Sequence, residues 1–472
     1  MEFLTVLFTF YPFALAIGLA VGIAAFGGAV LGRPVVPLLV YLAVFFTFAQ
    51  SGYGSLDLRS NAVYFRGSGQ LFFPLVFWGL LVAVGWTWLG RAFSNAKPVG
   101  TPSVNRWLMA WLALLVAHTA WGLASGAKLA DILGGYGFVY LVWMAPLILL
   151  MVWSARDMGT LVLLARLLVL ASLAKSVFGL ARWAFFGGDP ANYYQNFGNV
   201  NIKLTYFDIG DSMVCLLGAA VAASLLFVRR VTRQFQPWDL VNAMTVVLAL
   251  ACITLSYRRT VWGGVALAVL LLLWRMDAKV RFPVLLAGVP VFVAGLIFAA
   301  SRRLGKQSGV DGIGSFVFDL VSSRTGAEST RALELRLAWE SFAESPIFSI
   351  GSWGRYANSQ LIPWQDSTTA GSLLHSGTLH IAMKSGLIGL FLLAGVIWAY
   401  TSQVRRLRRE PDAISTALVI ASCCGLLLMV PDFLFGTPTI QIRTTQLMAF
   451  CLGLPYMVSV ALRQSQSGAI KP

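Results

Sequence analysis

Residues 160–186 read TLVLLARLLVLASLAKSVFGLARWAFF, an apolar run interrupted by Arg166, Lys175 and Arg182. A run of this length exceeds the ~20 apolar residues needed to cross a hydrocarbon core. No water inside a bilayer satisfies backbone N–H and C=O groups, so such a span closes its hydrogen bonds within itself as a helix. Barrel strands would show segments of ~10 residues with alternating polarity, and this run does not alternate.

The rest of the chain repeats that signal. Of its 472 residues, 58% are hydrophobic and only 11% charged, and the mean hydropathy is +0.76. A fold with a solvated surface does not tolerate those values. The fold class is therefore all-α, a polytopic membrane protein. Apolar runs near 8–32, 35–50, 71–90, 107–124, 137–153, 159–186, 211–228, 240–256, 260–274, 282–300, 378–401, 414–432 and 445–462 predict about 12–13 transmembrane helices. Residues 1–300 carry the N-terminal helices, 301–377 a large extracytoplasmic loop, and 378–472 the C-terminal helices of one membrane domain.

Orientation follows from the basic residues. Connections containing Arg33, Arg91, Lys97, Arg106, Arg156, Arg229, Arg230, Arg233, Arg275, Lys279, Arg281, Arg405 to Arg409, Arg463 and Lys471 alternate with less basic ones. By the positive-inside rule the basic set is cytoplasmic. It accounts for much of the net charge of +16, so no nucleic-acid partner is implied. The five cysteines lie in or at the ends of apolar runs, which predicts neither a disulfide framework nor a zinc site. The N-terminal run has no basic leader and is too long for a signal-peptide core, so it reads as a retained span.

Within the outer loop, TRALELRLAWESFAES (residues 330–345) predicts an amphipathic helix. Ser329 or Thr330 is its N-cap, and Leu333, Leu337 and Trp339 recur at helical spacing.

Ionisable groups at membrane depth need a partner or a wet cavity. Lys175 and Arg182 stand seven apart and share a helix face. SYRRTVWGG (256–264) leaves Arg258 and Arg259 at an outer boundary, pointing about 100° apart if helical. No acidic residue falls in the middle of an apolar span, and Asp208, Asp211 and Asp432 come closest to the outer boundary. The outer cations are therefore expected to lack carboxylate partners and to line a cavity for an anionic ligand. Guanidinium forks suit phosphate oxygens, and a diphosphate on a long apolar tail would reach such a cavity from the bilayer. There is no GxxxxGK[ST] loop and no dinucleotide fingerprint.

Two of the three histidines occur in HSGTLHIAMKSGLIG (375–389). His375 and His380 would diverge by about 140° on a helix, which does not favour joint chelation of a metal. An imidazole at the polar edge suits proton transfer from a hydroxyl near neutral pH, and His375 occupies that edge. His380, deeper in the run, is read as a structural hydrogen-bonding group, with a sugar or acceptor contact as the alternative. His118, inside AWLALLVAHTAWG, reads as a satisfied polar group between helices.

The spacing of His375, Leu379, Gly386 and Gly389 resembles the H[NS]xxLx(6)GxxG signature of the O-antigen ligase and polymerase superfamily, membrane glycosyltransferases of bacterial envelopes. SYRRTVWGG is similar to the family's Ser-Arg segment opening a span, and LRLAWESFAESPIFSIGSWG (335–354) looks like its R..W...F..SP..G.G stretch. The resemblance covers roughly residues 205–460. Lys384 replaces an acidic residue common late in the histidine motif, and LTYFDIGDSMV (204–214) replaces an Asn-containing motif.

That resemblance implies an inverting, metal-independent and cofactor-free transfer of a glycan from undecaprenyl diphosphate to a hydroxyl acceptor, an acceptor glycan or lipid A-core. The site would face the periplasm from the inner membrane. His375 would be the general base, and Arg258 or Arg259 with Arg336 would hold the diphosphate. Lys175 and Arg182 join them on the charge argument alone. Asp208 or Asp211 would bind sugar or orient a cation. A lipid-linked oligosaccharide flippase is the alternative, expected to spread its cations through two related halves.

Overall fold

In the computed structural model, the residues described are 27, 33–47, 73–93, 99–190, 192, 203–228, 236–304, 326–362, 370–408, 410 and 412–468. Among them there is no strand. The helices are α1 (Val35–Thr47), α2 (Leu75–Phe93), α3 (Ser103–Ala124), α4 (Met144–Ser154), α5 (Met158–Phe185), α6 (Ile209–Ala223), α7 (Pro237–Thr254), α8 (Arg259–Arg275), α9 (Ala278–Leu304), α10 (Gly326–Glu344), α11 (Gly377–Leu407), α12 (Ala413–Phe435) and α13 (Ile442–Gly468). Eight of these are long and apolar enough to cross a membrane: α2, α3, α5, α6 with its continuation to Phe227, α7, α11, α12 and α13. The protein is a multi-pass, all-α membrane protein. The predicted span 8–32 apart from Gly27, the 51–70 connection, the Arg229 to Arg233 linker and Lys471 lie outside the described residues.

The helix ends follow local chemistry. Asp157 accepts from Thr160 N–H at 2.8 Å ahead of α5, and Asp208 accepts from Gly210 N–H at 2.8 Å ahead of α6. Asp412 does the same for Ser415 N–H at 2.7 Å, each satisfying an orphan donor of the first helical turn. The expected span 137–153 is divided into Val139–Val142 and α4. The reason is Pro146, which lacks the N–H that would bond to the Val142 carbonyl and whose ring crowds it. The loop helix α10 begins at Gly326, a turn ahead of the predicted caps Ser329 and Thr330.

α6 occupies the centre, with 94% of its span buried, and packs against α5, α7 and α12. Its sequence, IGDSMVCLLGAAVAA, is rich in small residues, which permit close helix approach where no hydrophobic drive exists between apolar surfaces. A Cβ on Gly218 would strike the Leu168 backbone and Ser172 of α5. Gly264 of α8 faces the Leu428 backbone of α12 in the same way. All five cysteines are free thiols.

Because the chain alternates direction, the described basic residues Arg33, Arg91, Arg106, Arg156, Arg275, Arg281 and Arg405 stand at helix ends on one side of the bundle. The starts of α6, α8, α11 and α13 and the ends of α5, α7 and α12 lie at the other side, where α10 packs against α11.

Candidate functional site

α10 carries one buried stripe, Glu334, Leu337, Ala338, Ser341 and Phe342, the i, i+3, i+4, i+7, i+8 pattern of a core-facing helix. Trp339, expected on that face, is 57% exposed. Glu334 opens the stripe, and its carboxylate is fully buried. Its Oε2 lies 3.0 Å from His375 Nδ1 and accepts the His375 backbone N–H at 3.3 Å.

His375 stands just before α11. Ser376 caps that helix, accepting from Leu379 N–H at 3.3 Å. The Thr378 hydroxyl donates to the Phe433 carbonyl at 3.3 Å, and Gly377 packs on Phe433 and Pro438 with no room for a side chain. These contacts press the histidine segment onto the end of α12, where Asp432 is buried. Thr260 hydrogen-bonds to its carboxylate. Arg258 Nη2 is 3.9 Å from Asp432 Oδ1, the Arg258 side chain being 19% exposed. Its Nη1 donates to the Phe207 carbonyl. The fold thus sets the His375 segment beside the end of α12 whose Asp432 faces Arg258.

The expectation that the outer cations lack carboxylates is overturned. Lys175 is paired with Asp211. Arg182 Nη2 is 3.0 Å from Asp189 Oδ2, donates to the Thr205 carbonyl, and lies over the Tyr206 ring at 4.8 Å. Both cations are buried. The carboxylates come from helix starts and connections, places that look remote from the middle of a span until the chain turns back over itself. Asp208 and Asp211 therefore orient cations: Arg443, fully buried, reaches Asp211 Oδ1 at 2.6 Å and Asp208 Oδ2 at 3.2 Å.

The remaining candidates divide clearly. Arg336 pairs with Glu340 at 2.8 Å, its side chain 76% exposed. It sits two residues from Glu334, about 200° around the helix, so α10 turns Glu334 inward and Arg336 outward. Arg259, the first residue of α8, is half-buried beside Arg258. His380 is buried, with Nε2 2.8 Å from the Tyr136 carbonyl and Nδ1 3.0 Å from the Thr439 hydroxyl. Both ring nitrogens are thus spent on internal contacts, which supports the structural role and leaves none for a sugar. His118 accepts from Ser352 N–H at 3.2 Å, tying α3 to the turn that follows α10. Lys384 donates to the Gly354 carbonyl in the same turn.

That turn is seated by Gly386. α11 breaks there, at φ 66° and ψ −161°, a conformation that glycine adopts without a Cβ penalty. The break lets backbone from 346–350 pair with the helix: Leu387 N–H to the Pro346 carbonyl at 2.8 Å, and Ile350 N–H to the Met383 carbonyl at 3.3 Å. A Cβ on Gly386 would collide with the Ile347 carbonyl. The Ser-Pro stretch and the histidine motif are thus two halves of one packed unit.

A groove of about 120 Å³, lined by Val162, Arg166, Val169, Trp238 and Asn242 among others, lies at the basic end of the bundle. Sequence reasoning missed Glu334 and Arg443. The signal for Glu334 was present as a carboxylate at an apolar position of the α10 stripe. Arg443 gave less, being one cation ahead of an apolar run.

Compared with known proteins, residues 244–394 match the O-antigen ligase family. That segment holds the SYRR arginines, Glu334, His375 and Gly386. No curated protein matches the chain.

Proposed function

Taking residues 244–394 as an O-antigen ligase segment, we propose that the chain transfers a glycan from undecaprenyl diphosphate to a hydroxyl acceptor at the periplasmic face of the bacterial inner membrane. The acceptor is lipid A-core in a ligase or another repeat unit in a polymerase, and the two share this chemistry. The observation that carries the reading is that one end of α12 receives both groups at the non-basic end of the bundle: Arg258 faces Asp432, and the His375 segment bonds to the adjoining Phe433 carbonyl through Thr378.

In this reading His375 removes the proton from the acceptor hydroxyl. The oxygen attacks the anomeric carbon from the face opposite the diphosphate, forming the new glycosidic bond with inversion. The bond to the leaving oxygen breaks with its electron pair, and the growing charge on the diphosphate is met by Arg258 with Arg259. A donor group placed where charge develops is the most effective form of such stabilisation. Arg258 suits the role because its contact with Asp432 is loose at 3.9 Å and its side chain is partly exposed. Lys175 and Arg182, buried against Asp211 and Asp189, hold the helices that present the site. Arg336 keeps its surface pair. No metal or cofactor enters the mechanism.

The test is transfer by the purified protein in nanodiscs with a defined lipid-linked donor and candidate acceptors. His375→Ala is expected to abolish the new glycosidic bond while protein yield stays normal. Undiminished transfer by that variant removes the catalytic assignment. Movement of the donor across the bilayer with no bond formed favours a flippase.

A further inference from the structure

We infer that Glu334 is a positioning residue for His375, fixing the imidazole as its Nδ1–H tautomer so that Nε2 is the atom that takes the acceptor proton. The inference rests on the transfer reaction proposed above and adds a residue and an atom to it.

Three observations support it. The Glu334 carboxylate is fully buried and 3.0 Å from His375 Nδ1. A buried carboxylate accepts only, so the shared proton belongs to the ring. Nδ1 is then the N–H, which leaves the lone pair on Nε2. Second, Oε2 also takes the His375 backbone N–H at 3.3 Å, so one oxygen clamps both the main chain and the ring. Free rotation of the imidazole about its side-chain bonds is thereby removed. Third, the residue comes from α10, whose buried stripe otherwise consists of Leu337, Ala338, Ser341 and Phe342. A charged group there carries a desolvation penalty that an apolar residue would avoid; the imidazole contact offsets it.

The arrangement ties chemistry to the outer loop. α10 packs against α11, and the turn after it is pinned by Gly386, His118 and Lys384. Docking of the loop therefore completes the base. As the imidazole takes the hydroxyl proton on Nε2 it becomes cationic, and the Glu334 carboxylate beside Nδ1 stabilises that cation.

The experiment is nitrogen-15 NMR of the full-length protein in nanodiscs, labelled at histidine. With three histidines in the chain, His375 is assigned by its loss in His375→Gln. In the neutral ring, Nδ1 is expected to resonate as a pyrrole-type and Nε2 as a pyridine-type nitrogen. Glu334→Leu fills the same place but removes the single oxygen that serves both Nδ1 and the backbone N–H, and should let His375 take up the Nε2–H tautomer. In the transfer assay it should lower kcat about 10- to 100-fold with KM within about twofold, and Glu334→Asp should recover part of the loss. A pyridine-type Nδ1 in the wild type, or an unchanged tautomer or kcat in Glu334→Leu, overturns the inference. The spectra are read without turnover, so an inactive His375 assignment and a failed Glu334 contact give different results.

Discussion

The Arg443 guanidinium lies 2.6 Å from Asp211 Oδ1, both side chains buried at the centre of the bundle. Asp211 also holds Lys175, and Arg443 also holds Asp208. This cluster joins α5, α6 and α13 just beneath the site, and the four groups neutralise one another two against two. Charges taken out of water in this way hold only as a set.

Arg443→Met leaves Asp208 without its guanidinium and Asp211 with Lys175 alone. The expected loss is about 3–5 kcal/mol, the cost of breaking a buried pair from one side. Thermal unfolding in detergent, followed by tryptophan fluorescence, checks it. An unchanged transition would show that the cluster does not carry stability.

His380→Ala and His375→Ala should separate stability from chemistry. The first removes contacts to the Tyr136 carbonyl and the Thr439 hydroxyl, with an expected loss of about 1–3 kcal/mol and most of the transfer activity retained at a permissive temperature. The second leaves the buried Glu334 only the His375 backbone N–H, at some cost in stability, and should lose transfer by about 100-fold or more at that same temperature. The reverse pattern would exchange the roles assigned to the two rings.

The two arginine positions carry opposite expectations. Arg258→Ala should reduce kcat/KM by about 100-fold if its guanidinium meets the leaving diphosphate, and Arg258→Lys should restore only part, because a point charge does not reproduce a fork. Arg336→Ala removes an exposed pair with Glu340, worth little in solvent, and should stay within about twofold of wild type. A severe Arg336→Ala phenotype with Arg258→Ala active would move the diphosphate to the outer side of α10.

Gly386→Ala should fail in folding rather than in chemistry. The backbone there has φ 66°, and an added Cβ meets the Ile347 carbonyl. Strain at a left-handed position is of order 1–3 kcal/mol, to which the backbone collision adds. Yield and protease resistance of the 345–354 turn report the outcome; a wild-type digestion pattern would count against the docking of the two motifs.

Much of the site was legible before any coordinates. The histidine at the polar edge, the SYRR arginines and the α10 segment were each recognisable from residue type and spacing. Their partners were not. Glu334, two residues from Arg336, could be given a face only when the α10 stripe was seen to begin one residue after Leu333. Asp432 was noted at an outer boundary, yet nothing in its neighbours foretold Arg258. Arg443 was hidden as a single cation before an apolar run.

Hydropathy by itself determined the helical membrane fold, because a backbone in lipid has no other way to satisfy its polar groups, and it also determined which helix ends lie together, because basic loops alternate along the chain. Only the tertiary structure decided which charges meet. A pairing between α5, α6, α8, α12 and α13 depends on how small residues such as Gly218 and Gly264 let their backbones approach, and on a turn at Gly386 that brings the outer loop back onto the bundle. Those are distances between segments remote in sequence, which local periodicity does not encode.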